Sequence, residues 1–170
     1  MKAEQRVGLF VDIQNLYYTA RNVYNSRVNF NSILKDAVGD RPLVRAIAYG
    51  IRAQMPEEQT FFDALTKAGF EVKLKDLQSF YGGAKKGDWD VGIVMDIIKL
   101  IPKLDTVVLA SGDGDYIPLL EYLQILGVRV ELVSFGKSTS SKMRELVENH
   151  LDLDNDQRRY LMPIRNNKRR

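Results

Sequence analysis

Apolar and polar positions along the chain follow two periods, one typical of strands and one typical of helices. Short apolar or alternating runs predict strands at 7–11, 43–49, 70–74, 106–110 and 128–133. Helical periodicity predicts helices at 15–24, 31–38, 88–100 and 138–149, with Asn31 capping the second. Two more helices are expected, one from Pro56 to a C-terminal cap at Gly69 and one from the turn 111–115 to Leu126.

The regular alternation of strands and helices predicts the fold class. Strands that are separated by helices form parallel sheets with right-handed crossovers, and the helices cover both faces. We therefore expect an α/β protein, a three-layer α/β/α sandwich of Rossmann-like type with a mostly parallel sheet of five or slightly more strands. Residues 1–155 are predicted to form one domain, and residues 156–170 a basic C-terminal tail.

The composition is that of a globular protein. The chain has 170 residues, of which 45% are hydrophobic and 28% charged, and it contains no cysteine. This excludes a disulfide framework and a thiolate zinc site, and it suits a reducing compartment. No signal peptide and no membrane span is recognised, so we expect a cytoplasmic protein without a membrane partner.

The positive charge is concentrated at the C-terminus. The formal net charge is +3, but six cations and no acids lie after residue 157, so the remainder carries −3. The six are Arg158, Arg159, Arg165, Lys168, Arg169 and Arg170. Such a segment can steer a nucleic acid towards the domain, or it can be a solvated terminus.

Aspartates occur where a doubly wound sheet would hold its ligand, beyond the C-terminal ends of the strands. Asp12 ends the first predicted strand, whereas Asp113 and Asp115 follow the fourth. Asp90 opens the preceding helix, and Asp96 lies further along it. If the first and fourth strands are neighbours, these carboxylates repel one another unless a cation compensates, and oxygen ligands favour Mg²⁺ or Mn²⁺. Each aspartate taken alone could equally cap a helix or stabilise a turn.

Three segments carry a resemblance to a known family. They are FVDIQN at 10–15, KGDWDV at 86–91 together with Asp96, and SGDGDY at 111–116. Their order and spacing over residues 6–153 resemble the NYN domain family, in its LabA-like branch, within the PIN-like nuclease superfamily. The resemblance implies a PIN-like fold and a metal-dependent ribonuclease site. In that pattern the catalytic and metal-binding acids would be Asp12, Asp90, Asp113 and Asp115, with Asp96 in or beside the site.

The resemblance also suggests how substrate would be bound. Single-stranded RNA would be held by Asn15, Lys85, Lys86 and Ser111. Tyr81 and Trp89 could stack on unpaired bases, or Trp89 could pack against its helix and Tyr81 decorate a turn. PIN-like domains often dimerise, so a homodimer is compatible with the resemblance.

Other functions remain open at the level of sequence. The alternative of another class is a catalytically weak regulatory module that binds RNA or protein through the same fold; a third is a phosphatase or transferase of small nucleotides.

Gly136-Lys137-Ser138 resembles the end of a phosphate-binding loop, but Glu131 stands where the first glycine is required. We therefore expect a helix N-terminus capped by Ser138 there. His150, near the end of the last predicted helix, is expected to be a surface or hydrogen-bonded polar residue.

Overall fold

The computed structural model describes residues 5–53, 55, 57–79, 85–86 and 88–164, with the backbone alone for 78, 79, 85 and 86. Several predicted features lie outside this description. They are the start of a helix at Pro56, the role of Tyr81, the side chains of Lys85 and Lys86, and the last six residues with their four cations.

The described strands form one large sheet and two small ones. The strands are β1 Val7–Asp12, β2 Ser26–Val28, β3 Leu43–Arg52, β4 Glu71–Asp76, β5 Gln78–Ser79, β6 Lys85–Lys86, β7 Thr106–Ala110, β8 Arg129–Ser134, β9 Asn149–Asp152 and β10 Leu161–Pro163. The large sheet has six strands in the order β4-β3-β1-β7-β8-β9, and all of its pairings are parallel. The predicted fold class is confirmed.

Helices cover both faces of this sheet. They are α1 Ile13–Tyr24, α2 Phe30–Val38, α3 Glu58–Ala68, α4 Asp90–Leu100, α5 Ile117–Ile125, α6 Ser141–Glu145 and α7 Gln157–Tyr160. Leu9 of β1 points into one buried cluster with α1, α2 and α3, whereas Phe10 points into another with α4 and α5. Alternate residues of a strand face opposite sides, so each central strand contributes to both cores.

Helix termini are fixed by local caps. Asp12 caps α1, where its carboxylate accepts from the backbone N–H of Asn15, so the helix begins before the predicted position. The predicted cap of α2 at Asn31 is wrong, because Asn29 accepts from the N–H of Ser32 instead. Gly69 ends α3 with a φ of 110°, a conformation that costs glycine little.

The segment predicted as a helix at 138–149 has a different structure. Residues Gly136–Ser138 form a 3-10 turn, and Ser140, not Ser138, caps the short α6. The chain then forms strand β9, which pairs with β8. This pairing gives the backbone N–H and C=O groups of β9 the hydrogen-bond partners that the predicted helix would have supplied. His150 lies on this strand, and its Nε2 is 2.8 Å from Ser134 Oγ, so it is a hydrogen-bonded polar residue.

The folded part of the chain extends past the boundary predicted at residue 155. Strand β10 pairs antiparallel with β2, and Tyr160 is buried. The Tyr160 hydroxyl donates to Asp36 of α2, and the Arg159 guanidinium bonds the same carboxylate. Arg159 therefore forms an ion pair with the folded domain, whereas the sequence had placed it in a basic tail.

No helix among the described residues is long and apolar enough to cross a membrane.

Candidate metal centre at the switch point of the sheet

The order of the strands reverses direction between β1 and β7. From β1 the chain proceeds outward to β3 and β4, and from β7 it proceeds the other way to β8 and β9. The crossover connections therefore leave a crevice at the C-terminal ends of β1 and β7, which is where ligands bind in such sheets. Asp12 ends β1, and the loop 111–113 follows β7 directly.

Three carboxylates meet in this crevice. Asp12, Asp90 and Asp113 each offer an oxygen atom, and these atoms lie within 4.8 Å of one another. Asp12 is only 7% exposed, whereas the other two are half-buried. The three acids come from the end of β1, the first residue of α4 and the loop after β7, so the tertiary fold brings them together.

The hydroxyl of Tyr116 lies beneath two of these acids. It donates to either Asp12 Oδ2, at 3.3 Å, or Asp90 Oδ1, at 3.2 Å. The side chain is almost fully buried, and this burial together with the neighbouring negative charges raises the pKa of the tyrosine far above its usual range. Tyr116 therefore remains a hydrogen-bond donor that fixes the two carboxylates relative to each other.

The crevice disfavours negative charge on its own acids. Burial is the largest cause that raises the pKa of Asp12, to about 6, and the hydrogen bond from the Asn15 N–H only partly offsets it. Burial also raises the pKa of Asp90, with a further contribution from the charge of Asp113. A cation in the crevice would remove this penalty.

A second set of hydrogen bonds links the two loops that carry Asp12 and Asp113. Asn15 Oδ1 accepts from the backbone N–H of Gly112 at 2.8 Å. The Ser111 hydroxyl donates to Asp12 Oδ2 at 3.3 Å and accepts from the N–H of Asp113 at 3.2 Å. Ser111 is fully buried, so the structure places it beneath the acids and not where a substrate would touch it, contrary to the predicted contact.

Asp115 and Asp96 lie outside the group of three acids. Asp115 is exposed, and its N–H donates to Asp113 Oδ1 in the turn at 114–116. Asp96 accepts from Tyr49 Oη and Lys73 Nζ, at 2.9 and 2.7 Å. Burial would raise the pKa of Asp96, but these two bonds outweigh it and lower the pKa. The negative charge of Asp96 is thus balanced by Lys73, and the geometry gives no support to a role of Asp96 as a metal ligand.

Trp89 is half-buried and packs against the cluster of α4 and α5. Its ring lies 5.2 Å from that of Tyr49, its Nε1 donates to the carbonyl of Gly50, and Lys75 Nζ sits 4.2 Å from the ring centroid. Of the two alternatives that the sequence left open for Trp89, stacking on a base or packing, these contacts favour packing.

The acids open into a cleft of about 300 Å³. Its lining residues are Asp12, Gln14, Asn15, Tyr18, Thr19, Asp88, Asp90 and Asp113. One wall is acidic, and the other belongs to α1. Sequence reasoning missed Tyr18 and Tyr116. The signal for Tyr18 was the helical spacing that places it one turn after Gln14 and Asn15.

The donor set fits a hard divalent cation. The three convergent ligands are all carboxylates, and Mg²⁺ and Mn²⁺ bind oxygen, whereas zinc sites favour histidine and cysteine. Among the residues that the structure describes, no salt bridge involves Asp12, Asp90 or Asp113. The residues present therefore suit a cation whose charge would replace the missing partner.

A parallel α/β sandwich with acids at its switch point is the architecture of PIN-like domains. The profile of the NYN domain matches residues 6–154, and the chain therefore belongs to the NYN domain family, as the sequence motifs indicated. Members of this family are generally nucleases.

Two relatives extend this result. The chain is 26% identical over 168 residues to the Low amplitude and bright protein LabA of Synechococcus elongatus, with 92% of this chain and 87% of that protein covered. It also matches the crystal structure of a Vibrio parahaemolyticus protein of unknown function with a TM-score of 0.86 and 34% identity, covering 95% of this chain and 99% of the other.

Proposed function

We propose that the protein is a Mg²⁺- or Mn²⁺-dependent ribonuclease that hydrolyses phosphodiester bonds of single-stranded RNA in the cytoplasm. The observation that carries the proposal is the convergence of Asp12, Asp90 and Asp113 without a basic partner among the described residues. Other partly buried acids, such as Glu131 and Asp96, have such a partner. A cluster of carboxylates without basic partners costs stability, and membership of a family that consists generally of nucleases supports a catalytic role for the cluster.

The three acids would have different roles in hydrolysis. Asp12 and Asp113 would hold the cation, and Asp90 would complete the set of ligands. When bound, the cation would acidify water and stabilise negative charge on phosphate oxygens. Asp90 Oδ2, like Asp113 Oδ2, makes no hydrogen bond among the described residues, and we assign to Asp90 Oδ2 the role of accepting a proton from the attacking water.

Asn15, Ser111 and Tyr116 would keep this arrangement rigid. Each makes a hydrogen bond that spans two separate segments of the chain. Such preorganisation matters, because catalytic groups lose efficiency when they are displaced by even 1 Å or so. Asp115, at the exposed rim, is proposed to bind the cation through water.

The test is cleavage of a 5′-labelled single-stranded RNA by wild type, Asp113→Asn and Asp96→Asn, with Mn²⁺ and with EDTA. We expect fragments only with Mn²⁺, a loss of at least 100-fold in Asp113→Asn, and retained activity in Asp96→Asn, whose carboxylate already pairs with Lys73. Equal cleavage by Asp113→Asn and wild type would show that the site is elsewhere. Cation binding by wild type without any cleavage would favour the regulatory module instead.

A further inference from the structure

Helix α1 forms the second wall of the cleft and contributes one aromatic side chain to it. Gln14, Asn15, Tyr18 and Thr19 line this wall. Residues four apart lie on the same face of a helix, about one turn of 5.4 Å apart, so Tyr18 follows Gln14 along the cleft. The Asn15–Gly112 hydrogen bond ties the start of α1 to the loop that carries Asp113. The backbone at Tyr18 therefore has a fixed position relative to the loop that carries Asp113.

The Tyr18 ring is available to a ligand. It is 52% exposed, although it lines the cleft, and it is the aromatic member of the lining residues. Tyr17 contacts it edge to face, with ring centroids 5.6 Å apart and planes at 78°. The Arg21 guanidinium donates to the Tyr17 hydroxyl at 3.1 Å, which places a cation beyond the aromatic pair. No salt bridge involves Arg21 in the described part of the chain.

These groups are ordered along α1 as a nucleotide chain would require. Acids that hold a cation bind the phosphate to be cut, an aromatic face binds a base, and a guanidinium binds a further phosphate. A base within a duplex is stacked on both faces and paired along one edge, so neither face is available to Tyr18. Stacking accepts every base, so this wall would select single strands with little preference for sequence.

We propose that Tyr18, supported by Tyr17, is the platform on which an unpaired base next to the cleaved phosphate stacks, with Arg21 meeting a neighbouring phosphate. This inference rests on the proposed function and names the feature that would select single-stranded RNA. It also assigns to Tyr18 the role that the sequence suggested for Trp89, whose ring is committed to Tyr49 and Lys75.

The test compares three ligands and five proteins. Fluorescence anisotropy in Ca²⁺ measures the affinity for a labelled single-stranded RNA, for the same strand with abasic riboses and for a duplex of the same sequence. The proteins are wild type, Tyr18→Ala, Tyr18→Phe, Arg21→Ala and the control Tyr122→Ala, which alters a tyrosine on α5 that is 44% exposed and outside the cleft lining. Retained stabilisation by Mn²⁺ verifies that each variant is folded and binds the cation.

We expect Tyr18→Ala to weaken binding of the base-bearing strand by about 5- to 100-fold and to leave the abasic strand within about two-fold of wild type. Tyr18→Phe keeps the ring and should bind as wild type does, as should Tyr122→Ala. Arg21→Ala should weaken both strands alike, because its contact is to phosphate.

Three outcomes would contradict the proposal that a base stacks on Tyr18. In the first, Tyr18→Ala loses the same affinity for both strands. In the second, a duplex of the same sequence binds as tightly as the single strand. In the third, Tyr18→Ala binds single-stranded RNA as wild type does. If wild type also cleaves RNA and Asp113→Asn does not, the proposed function is retained and only the role of Tyr18 is wrong. If wild type neither binds nor cleaves RNA, the proposed function fails and the platform with it.

Discussion

The Tyr116 hydroxyl lies 3.3 Å from Asp12 Oδ2 and 3.2 Å from Asp90 Oδ1, so one buried donor serves two carboxylates. It carries a single proton and can donate to one acid at a time. The second acid then faces an oxygen atom and a neighbouring negative charge. The arrangement keeps the acids close together, and no salt bridge among the described residues compensates their combined charge, which suits a site that a cation completes.

Replacement of this hydroxyl should destabilise the protein when no cation is bound. We expect Tyr116→Phe to lower the free energy of unfolding by about 1–2 kcal/mol at pH 7 in EDTA, because a buried carboxylate loses its donor. Urea denaturation measures the effect. Tyr122→Phe, which removes the hydroxyl of an exposed tyrosine, is the control and should change nothing measurable. A loss of the same size in both variants would contradict this account.

The buried charge of Asp12 gives the cation-free protein a defined pH dependence. The pKa of this carboxyl rises from its ordinary 3.8 to about 6 in the folded protein, so the folded state binds the proton more tightly than the unfolded state does. Asp12 should therefore reduce stability as pH rises from about 4 to about 6, by up to about 3 kcal/mol.

Asp12→Asn removes this penalty. In EDTA at pH 7 we expect the variant to be more stable than wild type, and the difference should disappear near pH 4, where wild type is protonated. Unfolding curves at pH 4, 5, 6 and 7 measure the difference. If the difference in the free energy of unfolding between Asp12→Asn and wild type does not change with pH, the charge of Asp12 is not the cause of that difference.

Cation binding should stabilise wild type through Asp113. Mn²⁺ at 100 times its dissociation constant should add about 2.7 kcal/mol to the free energy of unfolding, if the unfolded chain does not bind it. Asp113→Asn should lose most of the resulting rise in Tm. Asp96→Asn should retain it, because Asp96 is engaged by Lys73 and Tyr49. Thermal unfolding with and without Mn²⁺ separates these cases, and a lost response in Asp96→Asn would make Asp96 a ligand after all.

Two glycines, one after strand β7 and one after strand β8, provide a matched test of packing. A Cβ at Gly136 would lie 2.6 Å from Asp152 Cγ, and that carboxylate is held by the N–H groups of Gly136 and Asp154. At Gly114 the nearest atom would be 3.9 Å away. We expect Gly136→Ala to cost about 1–3 kcal/mol and Gly114→Ala less than about 0.5 kcal/mol in urea denaturation. Equal stability of the two variants would contradict the described packing.

The central strands could be predicted because their sequence signal is local. The residues 106–110 read as an uninterrupted apolar run, and they form a strand that is buried throughout. The proximity of Asp12 to Asp113 was expected on the condition that the first and fourth predicted strands are neighbours, and the structure meets this condition because β1 pairs with β7. Here each prediction needed only the residue pattern and one rule of topology.

Other features depended on contacts that a linear pattern does not contain. Strand β9 is short and largely polar, and its conformation is set by pairing with β8. Ser111 and Asp115 belong to one motif, yet one is buried beneath the acids and the other is exposed, because the turn at 114–116 directs them apart. The hydroxyl of Tyr116 finds its partners on two distant segments.

The hydrogen bond from Ser111 to Asp12 joins residues that are 99 positions apart in the chain. A loop of that length must close before β7 can take its place beside β1, and contacts of this kind form slowly during folding. Asp12 and α1 are therefore synthesised well before Asp113 can join them at the proposed cation site. Fragments that end before Tyr116 should lack the proposed nuclease activity, which would then report that β7 has joined the central sheet.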